Sequence, residues 1–154
     1  MRKNHVFWYQ EKEKLDLHFA RYLYSQNIPF TSGGDNELFK TLCSALRPGY
    51  EPPKRTKLSE DLLVKVHDEV DERMKQDIRK HSSVLVLSQD SWSSITNNPI
   101  IAHSLLVHGN SYLYHLENAG SNTKSAQYCA SITSDLIAKI KNDTGKDVGA
   151  IVYR

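Results

Sequence analysis

Val84-Leu85-Val86-Leu87 constrains this chain more than any other stretch. Four apolar residues stand together without alternation. A run this short reads as a strand buried on both faces, because a helix needs a longer periodic pattern. The polar Ser88-Gln89-Asp90-Ser91-Trp92 follows at once. An acid leaving the end of a central strand beside a large aromatic is one way to build a site in a mixed sheet. It is also how a turn or capping residue reads at the head of a loop, and Ser91 to Pro99 is rich in Ser, Thr, Asn and Pro. Asp90 therefore carries two readings on local pattern, catalytic acid and turn former.

Two patterned regions flank this run. On the C-terminal side, Ile101, His103, Leu105 and Val107 alternate, as in a strand with one buried face. Gly109-Asn110 is predicted as a two-residue hairpin turn. Tyr112, Tyr114 and Leu116 are expected on one side of the returning strand. A helix is predicted from about Lys124 to Asn142, with Ala126, Cys129, Ala130, Thr133, Leu136, Ile137 and Ile140 inward and Gly145 as its stop. Val148-Gly149-Ala150-Ile151-Val152 is predicted as a second buried strand.

The N-terminal half is helical in pattern. Residues 1–14 are charged and expected to be ragged. A helix is predicted over about Leu15–Gln26, with Leu15, Phe19, Tyr22 and Leu23 inward, ending before Pro29. Asp35 is the expected N-cap of a second helix whose buried stripe is Leu38, Phe39, Leu42, Cys43 and Leu46. Ser59 is the expected N-cap of a long helix over about Glu60–Lys80, with Leu58 and Leu63 placed to staple its start. Leu62, Val66, Val70, Met74 and Ile78 recur every four residues along it. Each step overshoots the helical repeat by about 40°, so the two ends face different neighbours. This helix reads as a bridge between a helical region, 1–82, and a sheet region, 83–154.

Charge and cysteine usage exclude several classes. Twenty Lys and Arg nearly balance eighteen Asp and Glu, so no global positive field marks a nucleic-acid binder. Lys54, Arg55 and Lys57 form a small basic cluster in the connector after Pro52-Pro53, readable as a solvated loop, a phosphate contact or a nuclear address. Cys43 and Cys129 lie far apart within apolar helical patterns, which fits a reducing compartment rather than a disulfide or zinc framework. His103, His108 and His115 share the hairpin without ligand-like spacing, so partly buried or surface histidines are expected, not a metal site. The start of the chain carries no apolar segment, and a soluble, non-secreted protein is expected.

Several motifs occur together in order: Phe19-Ala20 with Asn27-Ile28-Pro29-Phe30; Leu46-Arg47-Pro48-Gly49-Tyr50 with Pro52-Pro53; Thr56-Lys57-Leu58-Ser59; and Leu87-Ser88-Gln89-Asp90-Ser91-Trp92-Ser93-Ser94. In combination the chain from about Phe19 onward resembles the hAT transposases and their BED-finger-associated relatives. The resemblance implies an α/β chain in which an N-terminal helical subdomain precedes an incomplete ribonuclease-H-like β-β-β-α-β unit. It implies that Asp90 is the first of three metal-binding carboxylates, and that the family works with Mg²⁺ or Mn²⁺ on DNA in the nucleus. Where the family carries its second acid, this chain has Arg154. The third acid and the zinc finger have no counterpart, so the resemblance implies a truncated chain. Two-metal strand transfer needs dications about 4 Å apart, held by several carboxylates. One acid does not suffice, and Asp147, seven residues before Arg154, lies at the wrong end of its strand, more than about 20 Å away. No catalysis and no bound cofactor are therefore expected, and Asp90 is a vestigial, weak metal ligand at most. The implied roles are an inactive transposable-element fragment, or a non-catalytic module that binds DNA through Lys54, Arg55 and Lys57 or pairs with itself or with transposase-like chains. An unrelated αβ enzyme using Asp90 is a further reading. The unfinished sheet is expected to expose an apolar edge and to self-associate.

Overall fold

The computed structural model describes residues 2–81, 84–120 and 125–153, with side chains from Tyr9 onward. Helices α1 (Arg2–Ser25), α2 (Glu37–Leu46), α3 (Arg55–Ser59) and α4 (Asp61–Lys80) come first. Strands β1 (Leu85–Ser93), β2 (Pro99–Val107) and β3 (Asn110–Asn118), helix α5 (Ala126–Thr144) and strand β4 (Val148–Tyr153) follow. The chain forms two compact units divided between Asp71 and Glu72. The division falls inside α4, not at its end near residue 82, because Met74 and Ile78 belong to the core of the second unit.

In the first unit, Ala20, Leu23, Leu58, Leu62 and Val66 form the core. The inward face of α1 is only partly the one that apolar spacing selects: Leu23 is in the core and Phe19 packs against it. Tyr22 is 58% exposed, while Asp16 is fully buried. Asp16 accepts hydrogen bonds from Lys57 Nζ at 2.8 Å, Lys12 Nζ at 3.1 Å and Tyr50 Oη at 3.0 Å. Those partners let a carboxylate occupy a position that pattern reading reserves for hydrocarbon. The helix also extends back to Arg2 instead of starting near Leu15.

The caps differ from expectation too. Asn36, not Asp35, caps α2, its side chain accepting from the Phe39 amide. Asp35 instead accepts from the amide of Arg55 at 2.6 Å. It thereby satisfies an otherwise free N–H at the start of α3, twenty residues on. Ser59 ends α3 and bonds back to the Thr56 carbonyl, so it does not cap α4. Leu58 is buried and Leu63 is 40% exposed. Of the expected α2 stripe, only Cys43 is buried and Phe39 stacks on Phe19 at 4.7 Å. Leu38, Leu42 and Leu46 face outward.

The second unit is a four-stranded mixed sheet in the order β3-β2-β1-β4. β1 is central. It pairs antiparallel with β2 and parallel with β4. The antiparallel hairpin and the helix between β3 and β4 are where the alternating and 3.6-residue patterns place them. One face is sealed: Leu85, Leu87, Leu105, Val107, Ile78 and Ile140 form its core, with Met74, Tyr112, Tyr114, Ile137 and Val148 packed against it. Ser125 caps α5 and Gly145, at φ 72°, ends it. The expected start of this helix at Lys124 lies outside the described residues.

The other face is open. Val86 and Ser88 are half-buried, and Leu106, Leu113, Leu116 and Val152 are exposed. The apolar run before Ser88 is thus buried on one face only. Leu116 joins the open face because the pairing register shifts between His103 and Ser104, which leaves Tyr114 as an extra residue. An extra residue reverses the parity of everything beyond it. The hairpin turn is His108-Gly109, one residue earlier than expected, with φ of 49° and 85°. Positive φ at both positions matches the right-handed twist of the strands. His108 stacks on His81 at 4.9 Å. β4 is a sheet edge and not a buried strand, with every residue from Gly149 to Tyr153 exposed. Gly149 is the bulged residue of β4, and a Cβ there would lie 2.1 Å from Val84 Cγ1. Among the described residues, no helix is long and apolar enough to cross a membrane.

Candidate functional site

Asp90 lies inside β1, opposite Ala102 of β2, because the strand continues through Ser93. It is neither at a strand end nor in a turn. Its side chain is exposed on the open face, and Oδ1 accepts from the Ser91 amide at 2.8 Å. With Ser88, Ser104, Ser111, Leu106 and Val152 it lines a groove of about 360 Å³. The lining offers three hydroxyls, two aliphatic chains and one carboxylate. Such a donor set can hydrogen-bond a polar ligand, but it does not fit a pair of dications, which need shared carboxylates. Asp147 stands at the far end, its carbonyl accepting from the Leu85 amide and its carboxylate held by Lys141 at 2.5 Å. Arg154 lies outside the described residues. Among the described residues, no three His, Cys, Asp or Glu side chains converge to hold a metal ion.

The basic cluster is divided by its own partners. The Lys57 ammonium is engaged by buried Asp16, so it is committed to the fold. Lys54 and Arg55 are exposed. Lys54 lines a groove of about 280 Å³ with Lys40, Ser44, Tyr50 and Glu51. Lys40 is paired to Glu37 at 2.6 Å.

A second polar group lies under α5, on the sealed face. His103 is fully buried, and its Nε2 lies 3.2 Å from Gln89 Oε1. An amide oxygen only accepts, so Nε2 carries the proton and Nδ1 is left as a buried lone pair. Nδ1 has no partner. Thr133 Oγ1 lies 3.0 Å from the same Gln89 oxygen and 2.7 Å from the Cys129 carbonyl. The His115 ring is 6.1 Å from that of His103, and His115 Nε2 lies 3.2 Å from Glu117, which also accepts from Tyr128. Sequence reasoning placed His103 and Thr133 on the inward faces of their elements but missed Gln89. The signal for Gln89 was parity, since it stands two residues after Leu87 and four after Leu85.

Burial, followed by the nearby His115, depresses the pKa of His103 below its ordinary 6.5, with Glu117 opposing. A histidine depressed in the fold binds its proton more readily when unfolded. Stability is therefore full above pH 6.5 and is lost progressively as the pH falls below it. The thermal midpoint is expected to drop on acidification through that window, and the drop to shrink in His103→Gln. Equal acid sensitivity in variant and parent would show that His103 is not the group responsible.

No protein-family model, curated protein or solved structure matches the chain.

Proposed function

We propose that this chain derives from a hAT-type transposase, carries the opening strands of a ribonuclease-H-like sheet, and has no strand-cleaving chemistry of its own. What carries this reading is a single juxtaposition. Asp90-Ser91-Trp92 stands in the central strand of a sheet ordered β3-β2-β1-β4, with an antiparallel hairpin on one side and, after a helix, a parallel strand on the other. That is the order in which the resemblance expects the opening of the catalytic domain. The donor set around Asp90 supports an inactive relative, since one carboxylate among serine hydroxyls cannot hold the close metal pair that strand transfer requires. A nuclear location follows from the family.

The second reading is a non-catalytic module that contacts DNA or pairs with transposase-like chains. The exposed pair Lys54 and Arg55 favours it. Lys57 contributes little to such a contact while it holds Asp16.

One experiment addresses both. The purified chain is incubated with supercoiled and linear DNA in Mg²⁺ or Mn²⁺, alongside Asp90→Ala. Neither nicking nor joining is expected. Because Asp90 is exposed, the substitution is expected to change stability by less than about 0.5 kcal/mol. Metal-dependent cleavage that disappears in Asp90→Ala would overturn the inactive reading. Binding to DNA that weakens in a Lys54→Ala, Arg55→Ala double variant, with a shallower salt dependence, would favour the second reading.

A further inference from the structure

The extra residue in β3 does more than break a ladder. Tyr112 and Tyr114 pack on the sealed face, so plain alternation would put His115 and Glu117 on the open one. With Tyr114 inserted, His115 becomes the cross-strand partner of buried His103, and the two ring centres lie 6.1 Å apart. Re-aiming a side chain is what bulges do beside functional sites. Both rings are held by their far nitrogens. His103 Nε2 donates to Gln89 Oε1 and His115 Nε2 to Glu117 Oε2, each at 3.2 Å. Amide and carboxylate oxygens only accept, so in each neutral ring Nδ1 is the lone pair. That of His103 is buried without a partner. Metal-binding histidines are oriented in the same way: one nitrogen meets the ion while the other N–H donates to a carbonyl or carboxylate.

We propose that His103 and His115 bind a soft monovalent cation of the copper(I) class between their Nδ1 atoms, with Gln89 and Glu117 positioning the rings. Metal–nitrogen bonds of about 2 Å on either side, added to the ring radii, place two imidazole centres about 6 Å apart. The ligand count selects the metal. Among the described residues, no third His, Cys, Asp or Glu joins the pair. Zn²⁺ takes four ligands, whereas copper(I) accepts two neutral nitrogens in line, and imidazole suits copper. Charge selects it too. The imidazoles bring none, and Glu117, held at His115, supplies one negative charge, which balances a monovalent ion and not a dication. The His115 side chain is 31% exposed, so an ion reaches the pair from its side. The site does not depend on Asp90 or on a transposase origin.

Thiols compete for soft cations, so the full chain carrying Cys43→Ala and Cys129→Ala is titrated anaerobically with copper(I) against a chromophoric chelator. One equivalent is expected to bind with a dissociation constant below about 1 µM. X-ray absorption is expected to show two imidazole nitrogens at about 2 Å. His115→Gln, at a half-exposed position, is expected to weaken binding by more than about 100-fold, and Glu117→Gln by about 10–100-fold, with the far-ultraviolet dichroism unchanged. In the unmodified chain, the ring ¹⁵N resonances of both histidines are expected to move on addition of silver(I) once the thiols are filled. Absence of binding, as when only a water sits at His103 Nδ1, overturns the proposal. So does binding indifferent to His115→Gln, coordination by groups other than imidazole, or Zn²⁺ held as tightly as copper(I).

Discussion

Asp16→Ala is expected to destabilise the first unit by about 2–3 kcal/mol. The carboxylate is fully buried and binds Lys12, Lys57 and Tyr50. Removing one partner of a fully buried ion pair costs about 3–5 kcal/mol, because the other charge is left in a poor medium. Here the cost is lower, since the Lys12 and Lys57 side chains are 31% and 43% exposed and can turn toward water. The Tyr50 hydroxyl cannot, as its residue is 8% exposed. Burial, and then the Asp16 charge, already raise the Tyr50 phenol far above its usual pKa, so it stays a neutral donor in need of an acceptor. Asp16→Asn keeps that acceptor and is expected to cost less than alanine. Denaturant midpoints followed by dichroism at the helix band test the order. An alanine variant as stable as the parent would show that the cluster is dispensable.

Gly34→Ala is expected to cost about 2–3 kcal/mol, at the upper end of what an inserted methyl does in a tight site. A Cβ there would lie 2.3 Å from the Pro52 carbonyl oxygen and about 3 Å from the backbone of Pro53 and Lys54. The clash is with main chain, and two consecutive prolines hold that main chain at fixed φ. The Gly34 amide also donates to the Pro53 carbonyl at 2.8 Å, so the loop cannot simply lift away. Gly109→Ala is the counterpart. Nothing lies within 4 Å of its Cβ, but its φ is +85°, so only the left-handed penalty of about 1–2 kcal/mol applies. Thermal denaturation of the two variants should rank Gly34→Ala as the more damaging. The reverse order would mean that the 52–54 segment yields more easily than its prolines suggest.

Strand, hairpin and crossover were legible because they rest on periodicity. Leu85 and Leu87, then Ile101, Leu105 and Val107, declare the sealed face by parity, and all are buried. The four-residue step of α4 correctly gave two directions. Leu62 and Val66 enter the first core and Ile78 the second, while Val70 between them is 58% exposed. What stayed hidden depends on partners distant in sequence. Asp16 is inward only because Lys57 and Tyr50 come to it, and Asp35 caps a helix twenty residues away. The single extra residue at Tyr114 put Leu116 on the wrong side of the expected strand. The continuous run at Val84–Leu87 looked two-sided because hydrophobicity does not tell a covered face from an open one. For the candidate groove, the sequence singled out one lining residue and not its neighbours. Asp90 stands out beside a strand's apolar run, whereas the serines around it come from three strands.

The division of the chain within α4 has a thermodynamic consequence. A helix does not end for free at an arbitrary peptide: melting residues up to Asp71 would strip the remaining 72–80 segment of its preceding turn and leave four amides without acceptors. Nine residues are also too few to persist as a helix on propensity alone. The packing of Met74 and Ile78 in the second core therefore resists fraying that begins in the first. The first core likewise holds the other end of the ladder through Leu62 and Val66, so the stretch around Val70, which neither core buries, is where amide exchange along α4 should be fastest.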